Sequence, residues 1–462
     1  MSTPSRLCPA LVMVLAAAGQ LAAADDAAPT AAPAPAAAPA AAPAEPDQRK
    51  AHDESLVHGF LRTRFQGRWT AGAADRDIIT TLSLDAGDAK RDRVTAHFLG
   101  DGSVDLDGHT TTEGSYQFDS QRDSTGQDIV GRVYSAYLDI HRVGPLAVRL
   151  GRQSVYETPE ISYFDGVRID TEDRSLPVQA GAYAGWSVHL YQGYAKDDHV
   201  GGAYAEARPW KDGRTRLDWQ RIEGRNGDFD YRSDLVSLAA WQRLAKHVDL
   251  HVRYTRQNND SRDLFARCTL QLPEDDFRTQ ASYYELIKPR RGDVADADVY
   301  YPILKDYQPY REIRVLLSKG FASTVNLDLG VDIRRLDHDK QSSTFNHEFD
   351  RYFATIALHD LVAKGTSFSV TGERWYTRGR HYESMGADLS ALLGRTRLSA
   401  GTAHYLYEYD QASDQERVEV QTWYVKAEHR YNESLRLRLT YEYENDVSAH
   451  YNELRCEAIC NF

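Results

Sequence analysis

SLRLRLTYEYE, residues 434–444, decides the fold. Leu435, Leu437, Leu439, Tyr441 and Tyr443 share one parity, and Arg436, Arg438, Thr440, Glu442 and Glu444 share the other. Strict period-two alternation over this length is a strand signal, with one apolar and one charged face. STVNLDLGVDI, residues 323–333, repeats the design: Val325, Leu327, Leu329, Val331 and Ile333 lie opposite Asn326, Asp328, Gly330 and Asp332. LFARCTLQL, residues 264–272, sets Leu264, Ala266, Cys268, Leu270 and Leu272 against Phe265, Arg267, Thr269 and Gln271. Strands of about 9 to 11 residues are what a tilted crossing of a bilayer needs.

The connections between such segments alternate in length. Short ones fall at Val143-Gly144-Pro145, Ala245-Lys246-His247, Gly320-Phe321-Ala322, Ala363-Lys364-Gly365, Leu393-Gly394-Arg395 and Tyr431-Asn432. Longer polar stretches lie near 101–130, 225–233, 289–309, 337–347 and 410–416. Short turns on one side and long loops on the other mark an outer-membrane barrel. The spacing predicts an all-β, transmembrane, antiparallel up-and-down β-barrel over residues 56–462, with 18 to 22 strands and a count of 22. The mean hydropathy of −0.58 agrees with this, because only half of each strand faces lipid. Tyr outnumbers Phe 28 to 14, which suits rings that meet lipid while their hydroxyls meet water.

The amino terminus reads as an export signal over residues 1–24. Arg6 precedes the apolar stretch PALVMVLAAAGQLAAA, which ends in Ala22-Ala23-Ala24 before Asp25. Residues 25–55 follow as an Ala/Pro-rich periplasmic linker, either a passive spacer or a tether that touches a partner. No later run of 18 apolar residues appears, so a spanning chain must close as a barrel. The chain ends in EAICNF, residues 457–462, and Leu454, Cys456, Ala458, Cys460 and Phe462 share one apolar parity. This predicts a closing strand with Phe462 as the assembly signal for the barrel assembly machinery, and outer-membrane lipid against its outer face.

VRLGRQ, residues 148–153, followed by FDGVRID, residues 164–170, resembles the alginate-export-like family of outer-membrane porins. The resemblance implies an outer-membrane channel for small or polymeric anionic solutes. The net charge of −13 is where this chain departs from that picture. Read from the residues alone, Arg149, Gly151 and Gln153 face inward, as do Phe164, Gly166, Arg168 and Asp170. Arg149, Arg152 and Arg168 are expected to pair with Asp165 or Glu157.

Inward parity nominates Arg149, Arg168, Arg253, Arg267, Asp328, Asp332, Arg334, Arg436, Arg438 and Glu442 as pore-lining candidates. Opposed charges along a pore select among permeating ions, and the same charges serve equally as wall-stiffening pairs. Residues 100–128 read as one strandless acidic loop, with Asp101, Asp105, Asp107 and Glu113 as its core. A solvated loop, a cation site and a lumen-folded constriction are its three readings. Cys268, Cys456 and Cys460 read as small lipid-facing side chains, since CxxxC on one strand spans too far for a disulfide.

The acidic balance excludes a general nucleic-acid binder. No G-x-S-x-G, H-E-x-x-H, Walker or CxxCH motif occurs, so neither an enzyme nor a cofactor or metal site is expected. The functional expectation is a porin-like channel, in the outer membrane of a Gram-negative-type bacterium, for diffusion or export of hydrophilic solutes. A barrel scaffold that docks a periplasmic or polymer-export partner is the alternative, with an outer-membrane enzyme behind it.

Overall fold

The computed structural model describes residues 57–71, 74–107, 128–172, 177–188, 198–226, 229–288, 309–337, 348–360, 362–377, 380–410, 415–445 and 450–462. The signal segment, the linker and Glu113 lie outside the described residues. Twenty-two strands follow one another. The first half comprises β1 (Val57–Trp69), β2 (Ala74–Ala86), β3 (Val94–Asp105), β4 (Ile129–Val143), β5 (Leu146–Val155), β6 (Ser162–Thr171), β7 (Val178–Ser187), β8 (His199–Ala207), β9 (Gly213–Asn226), β10 (Phe229–Ala245) and β11 (Val248–Gln257). The second comprises β12 (Asp260–Leu272), β13 (Phe277–Leu286), β14 (Tyr310–Phe321), β15 (Val325–Leu336), β16 (Phe349–His359), β17 (Thr366–Thr377), β18 (Arg380–Leu393), β19 (Thr396–Asp410), β20 (Gln415–Arg430), β21 (Leu435–Asn445) and β22 (His450–Asn461).

Each strand pairs antiparallel with its neighbours in sequence, and β1 pairs with β22 from Phe60↔Asn461 to Trp69↔Asn452. The sheet is therefore closed, and no edge is left to demand a partner in hydrocarbon. Phe462 completes the seam: its N–H donates to the Gly59 carbonyl at 3.1 Å, and its carbonyl accepts from Gly59 N–H at 2.8 Å. Drawn as a regular cylinder tilted about 40°, 22 strands enclose a barrel about 40 Å across, wider than side chains alone can fill.

The predicted parities hold. On β21 Leu437, Leu439 and Tyr441 are exposed outward while Thr440 is buried inside. Leu61, Leu238, Leu389, Val425 and Met385 continue the exposed apolar belt around the wall. From Leu435 to Tyr443 this belt is about 20 Å tall at 3.3 Å per residue and a 40° tilt, close to the apolar band of a membrane barrel. Cys456 and Cys460 are free and exposed on the same outward face, as their parity predicted.

The six short connections all fall at the end that carries Val57 and Phe462. The long ones, residues 106–128, 287–309 and 337–348, fall at the other. Three predicted loops are shorter than read. β9 runs to Asn226 and β10 starts at Phe229, β19 reaches Asp410 and β20 starts at Gln415, and β3 runs on to Asp105. In β3 the cause is visible: residues 100–105, GDGSVD, carry almost no apolar alternation, while the backbone ladder to β2 continues.

Gly59 is a position the seam cannot vary. A Cβ there would overlap the Ser83 carbonyl on β2. Gly59→Val is expected to weaken barrel closure, seen as loss of the heat-modifiable gel shift at a lower temperature than wild type. Deleting Phe462 removes both backbone bonds to Gly59 and should lower outer-membrane yield, as read by fractionation.

Candidate functional site: the barrel interior

All ten predicted lining residues fall on the interior face, on β5, β6, β11, β12, β15 and β21. They do not form one cluster. Charged groups on the wall are drawn into sectors, each satisfied by its neighbours.

The tightest sector joins β14 to β17. Arg314 donates to both Asp332 oxygens at 2.7 Å, and Arg334 Nε donates to Glu312 at 2.8 Å. Arg351 reaches Glu373 at 2.6 and 2.8 Å and lies 3.7 Å from Asp332. Asp332 is 1% exposed, and the forked guanidinium on the next strand offsets the burial of its carboxylate. Rings cover the cations: Tyr310 and Phe349 lie under Arg334, and Phe353 and Trp375 under Arg351. Asp328, further along β15, stands between Ser318 and Thr355 in register.

A second sector spans β4 to β9. Arg149 and Arg168 are directly opposed in register, a repulsive pairing. Each is neutralised by its own carboxylate, Arg149 by Asp139 at 2.7 and 2.9 Å and Arg168 by Asp170 at 2.7 Å. The predicted network with Arg152, Asp165 and Glu157 is corrected here. Arg152 and Asp165 do pair, at 2.7 and 2.8 Å, but they share the parity of Leu150 and Val167 and sit on the outer face. Glu157 instead meets Arg216 at 2.5 Å.

A third sector lies at the seam. Arg438 contacts Glu428 at 2.9 Å and Glu457 at 3.6 Å, with Arg436 3.7 Å from Glu428. Arg455 bonds Glu453 at 2.6 and 2.7 Å and lies 3.3 Å from Glu442. On β11 and β12, Arg253 Nε is buried with no hydrogen-bond partner among the described residues, and Arg267 stands over Phe265.

The acidic segment is not one loop. Asp101 is an interior residue of β3, 3.5 Å from Arg132 and hydrogen-bonded by the Tyr134 hydroxyl at 2.8 Å. Asp105 ends β3 and accepts from Asp107 N–H at 2.9 Å. A bulge between β3 and β4 hides this continuation, because Ser135↔Leu99 is followed by Val133↔Gly100 and Tyr134 is left over.

Among the described residues, the segment that turns into the interior is residues 156–161, between β5 and β6. Gln220 on β9, fully buried, accepts from Glu160 N–H at 2.9 Å and donates to the Glu160 carbonyl and the Ser162 hydroxyl at 2.8 Å each. Glu160 then reaches Arg262 on β12 at 2.8 Å. β6 and β12 are six strands apart, about 29 Å of sheet at 4.8 Å per strand, so the segment crosses a chord of the barrel. Arg262 reaches it from an irregularity between β11 and β12, where Thr255↔Asp263 is followed by Arg256↔Ser261. Beneath the segment Val155, Phe164, Tyr183 and Val200 form an apolar bed with Ile222, and Thr158 is buried beside it.

Glu160, Arg216, Gln220 and Arg262 are thus interior residues that the strand patterns do not single out, and Glu157 is named there only as a partner for Arg149, Arg152 or Arg168. The visible signal was Glu157-Thr158-Pro159-Glu160, two acids flanking a proline in a short connection. The arrangement can narrow the lumen and present paired charges to whatever enters it.

No family model matches the chain, and no curated protein matches it in sequence. The fold is similar to that of the siderophore receptor PirA from Pseudomonas aeruginosa, with a TM-score of 0.56 and 9% identity over 88% of this chain and 81% of that one. It is also similar to the translocation pore of the P pilus usher PapC, at 0.51 and 10% over 88% and 99%. OccAB3 of Acinetobacter baumannii aligns at 0.41 and 11%, over 89% and 100%. The likeness is one of fold: this chain is a closed 22-stranded barrel of the outer-membrane type.

Breaking the buried pair tests the wall sector. Asp332→Ala takes the matched carboxylate from Arg314 and should cost about 3 kcal/mol, seen as a lower urea midpoint of the folded barrel in detergent.

Proposed function

We propose that the barrel is an outer-membrane channel for hydrophilic solutes, with segment 156–161 as its constriction. The observation that carries this reading is the clamp of Glu160 by Gln220 and Arg262 along one side of the lumen, inside a charged, closed wall. A buried acyl or apolar cargo would want an apolar interior. Here the lining carries Arg149, Arg168, Arg253, Arg267, Asp328, Asp332, Arg334, Arg436, Arg438 and Glu442, which suits ions and hydrated molecules. Most of these are satisfied by neighbours and stiffen the wall, so selectivity falls to the constriction, where Glu157 and Glu160 face Arg216 and Arg262. The resemblance of residues 148–153 and 164–170 to alginate-export-like porins supports the same class of function, with anionic solutes as the finer reading.

Single-channel recording in planar bilayers tests the proposal. The full-length protein should give discrete conductance steps, and their absence at every voltage and salt concentration would overturn it. Gln220→Ala removes three hydrogen bonds around the segment, about 3 kcal/mol of docking at about 1 kcal/mol per bond. Larger and noisier steps are expected from this variant. Glu160→Gln takes one carboxylate from Arg262, which keeps Asp263 at 3.0 Å, and should move the reversal potential toward anion preference. An unchanged conductance and reversal potential in both variants would remove segment 156–161 from the permeation path.

A further inference from the structure

A groove of about 660 Å³ crosses the outer face of the barrel at the seam, lined by Phe65, Gly67, Trp69, Ala74, Arg76 and Leu454 among others. Its size falls within the usual range for small-molecule sites. All six residues have outward parity. Leu454, Gly67 and Arg76 form one row across β22, β1 and β2 in register, and Trp69 and Ala74 form the next. The groove exists because two of these outward positions are small. Gly67 is buried, and a Cβ there would sit in ordinary contact with the Phe65 ring at 3.4 Å and with Trp69 at 3.8 Å, so these two rings close over the backbone and form the base of the groove. The Trp69 ring lies 6.5 Å from Tyr441, which links the groove to the exposed apolar belt.

Arg76 does not fit a purely apolar surface. Its side chain is 59% exposed on the lipid-facing side, and its ion pair with Asp107, at 3.6 Å, is longer than a hydrogen bond. Arg152, another arginine of outward parity, is by contrast forked onto Asp165. Arg76 therefore keeps donors for an outside acceptor, and a guanidinium fork matches phosphate oxygens. It sits at the end with the long connections, where tyrosine and tryptophan rings mark the level of lipid headgroups.

We propose that this groove binds a phosphorylated membrane lipid, with an acyl chain between Phe65, Trp69 and Leu454 and its phosphate on Arg76. The site is independent of what passes through the lumen. It places an ordered anionic lipid against the β1–β22 closure, over the Phe65 and Trp69 rings.

Native mass spectrometry of the full-length protein in detergent tests this with two lipids of identical acyl chains, phosphatidic acid and diacylglycerol. Wild type should retain phosphatidic acid about tenfold better, the worth of one charge-assisted contact. Arg76→Gln should erase that preference while leaving diacylglycerol retention unchanged. Gly67→Leu fills the base of the groove and should reduce retention of both lipids, and Ala74→Leu serves in its place if that variant does not give a heat-modifiable barrel. Equal retention of the two lipids by wild type would overturn the proposal. So would unchanged retention in Arg76→Gln together with either groove-filling variant.

Discussion

Everything in this molecule depends on the requirement that no backbone N–H or C=O be left without a partner in hydrocarbon. A sheet meets that requirement only by closing on itself. Here closure is the pairing of β1 with β22, finished by the two backbone hydrogen bonds between Phe462 and Gly59. Because side chains alternate with period two, a slip of one residue at this seam would turn Arg455 and Glu457 toward lipid. The apolar parity of the last strand and the close fit of Gly59 against β2 hold the register.

Closure has a second consequence, for the interior. At the level of the apolar belt the outward face is occupied by apolar groups, so the charges there are directed inside and neutralised at short range, while outward pairs such as Arg311 with Glu285 and Arg335 with Asp350 lie on strand ends beside the long connections. The structure does this strand by strand, with Arg314 on Asp332, Arg149 on Asp139 and Arg438 on Glu428. A charged lining and a rigid wall are therefore the same set of residues. Charges with a cross-strand mate at hydrogen-bond distance serve the wall first. In the proposed channel, the residues left to meet a solute are those brought in from outside the ladder, Glu157 and Glu160 above all.

The strand faces were legible in the sequence because parity is a local property: a residue's neighbours two places away report which side it faces. The ten candidates Arg149 to Glu442 share the interior parity of their strands for that reason. The clamp on segment 156–161 was not legible, because Glu160 and Arg262 are 102 residues apart and meet through an irregularity in the β11–β12 ladder. Arg152 shows the limit from the other side. Its charge suggested the interior, while its parity put it outside with Asp165. Parity was the better guide.

The sequence by itself determined the all-β class, a strand number of 18 to 22 with 22 counted, the inside and outside of the strands with clean alternation, and the segregation of short turns from long loops. These follow from period-two alternation and turn residues, which act over a few positions. The tertiary structure decided which charges neutralise one another, which connection enters the lumen and where the outer face leaves a groove. Those depend on register across strands distant in sequence, and a hydrogen-bond ladder sets register through the closed sheet as a whole.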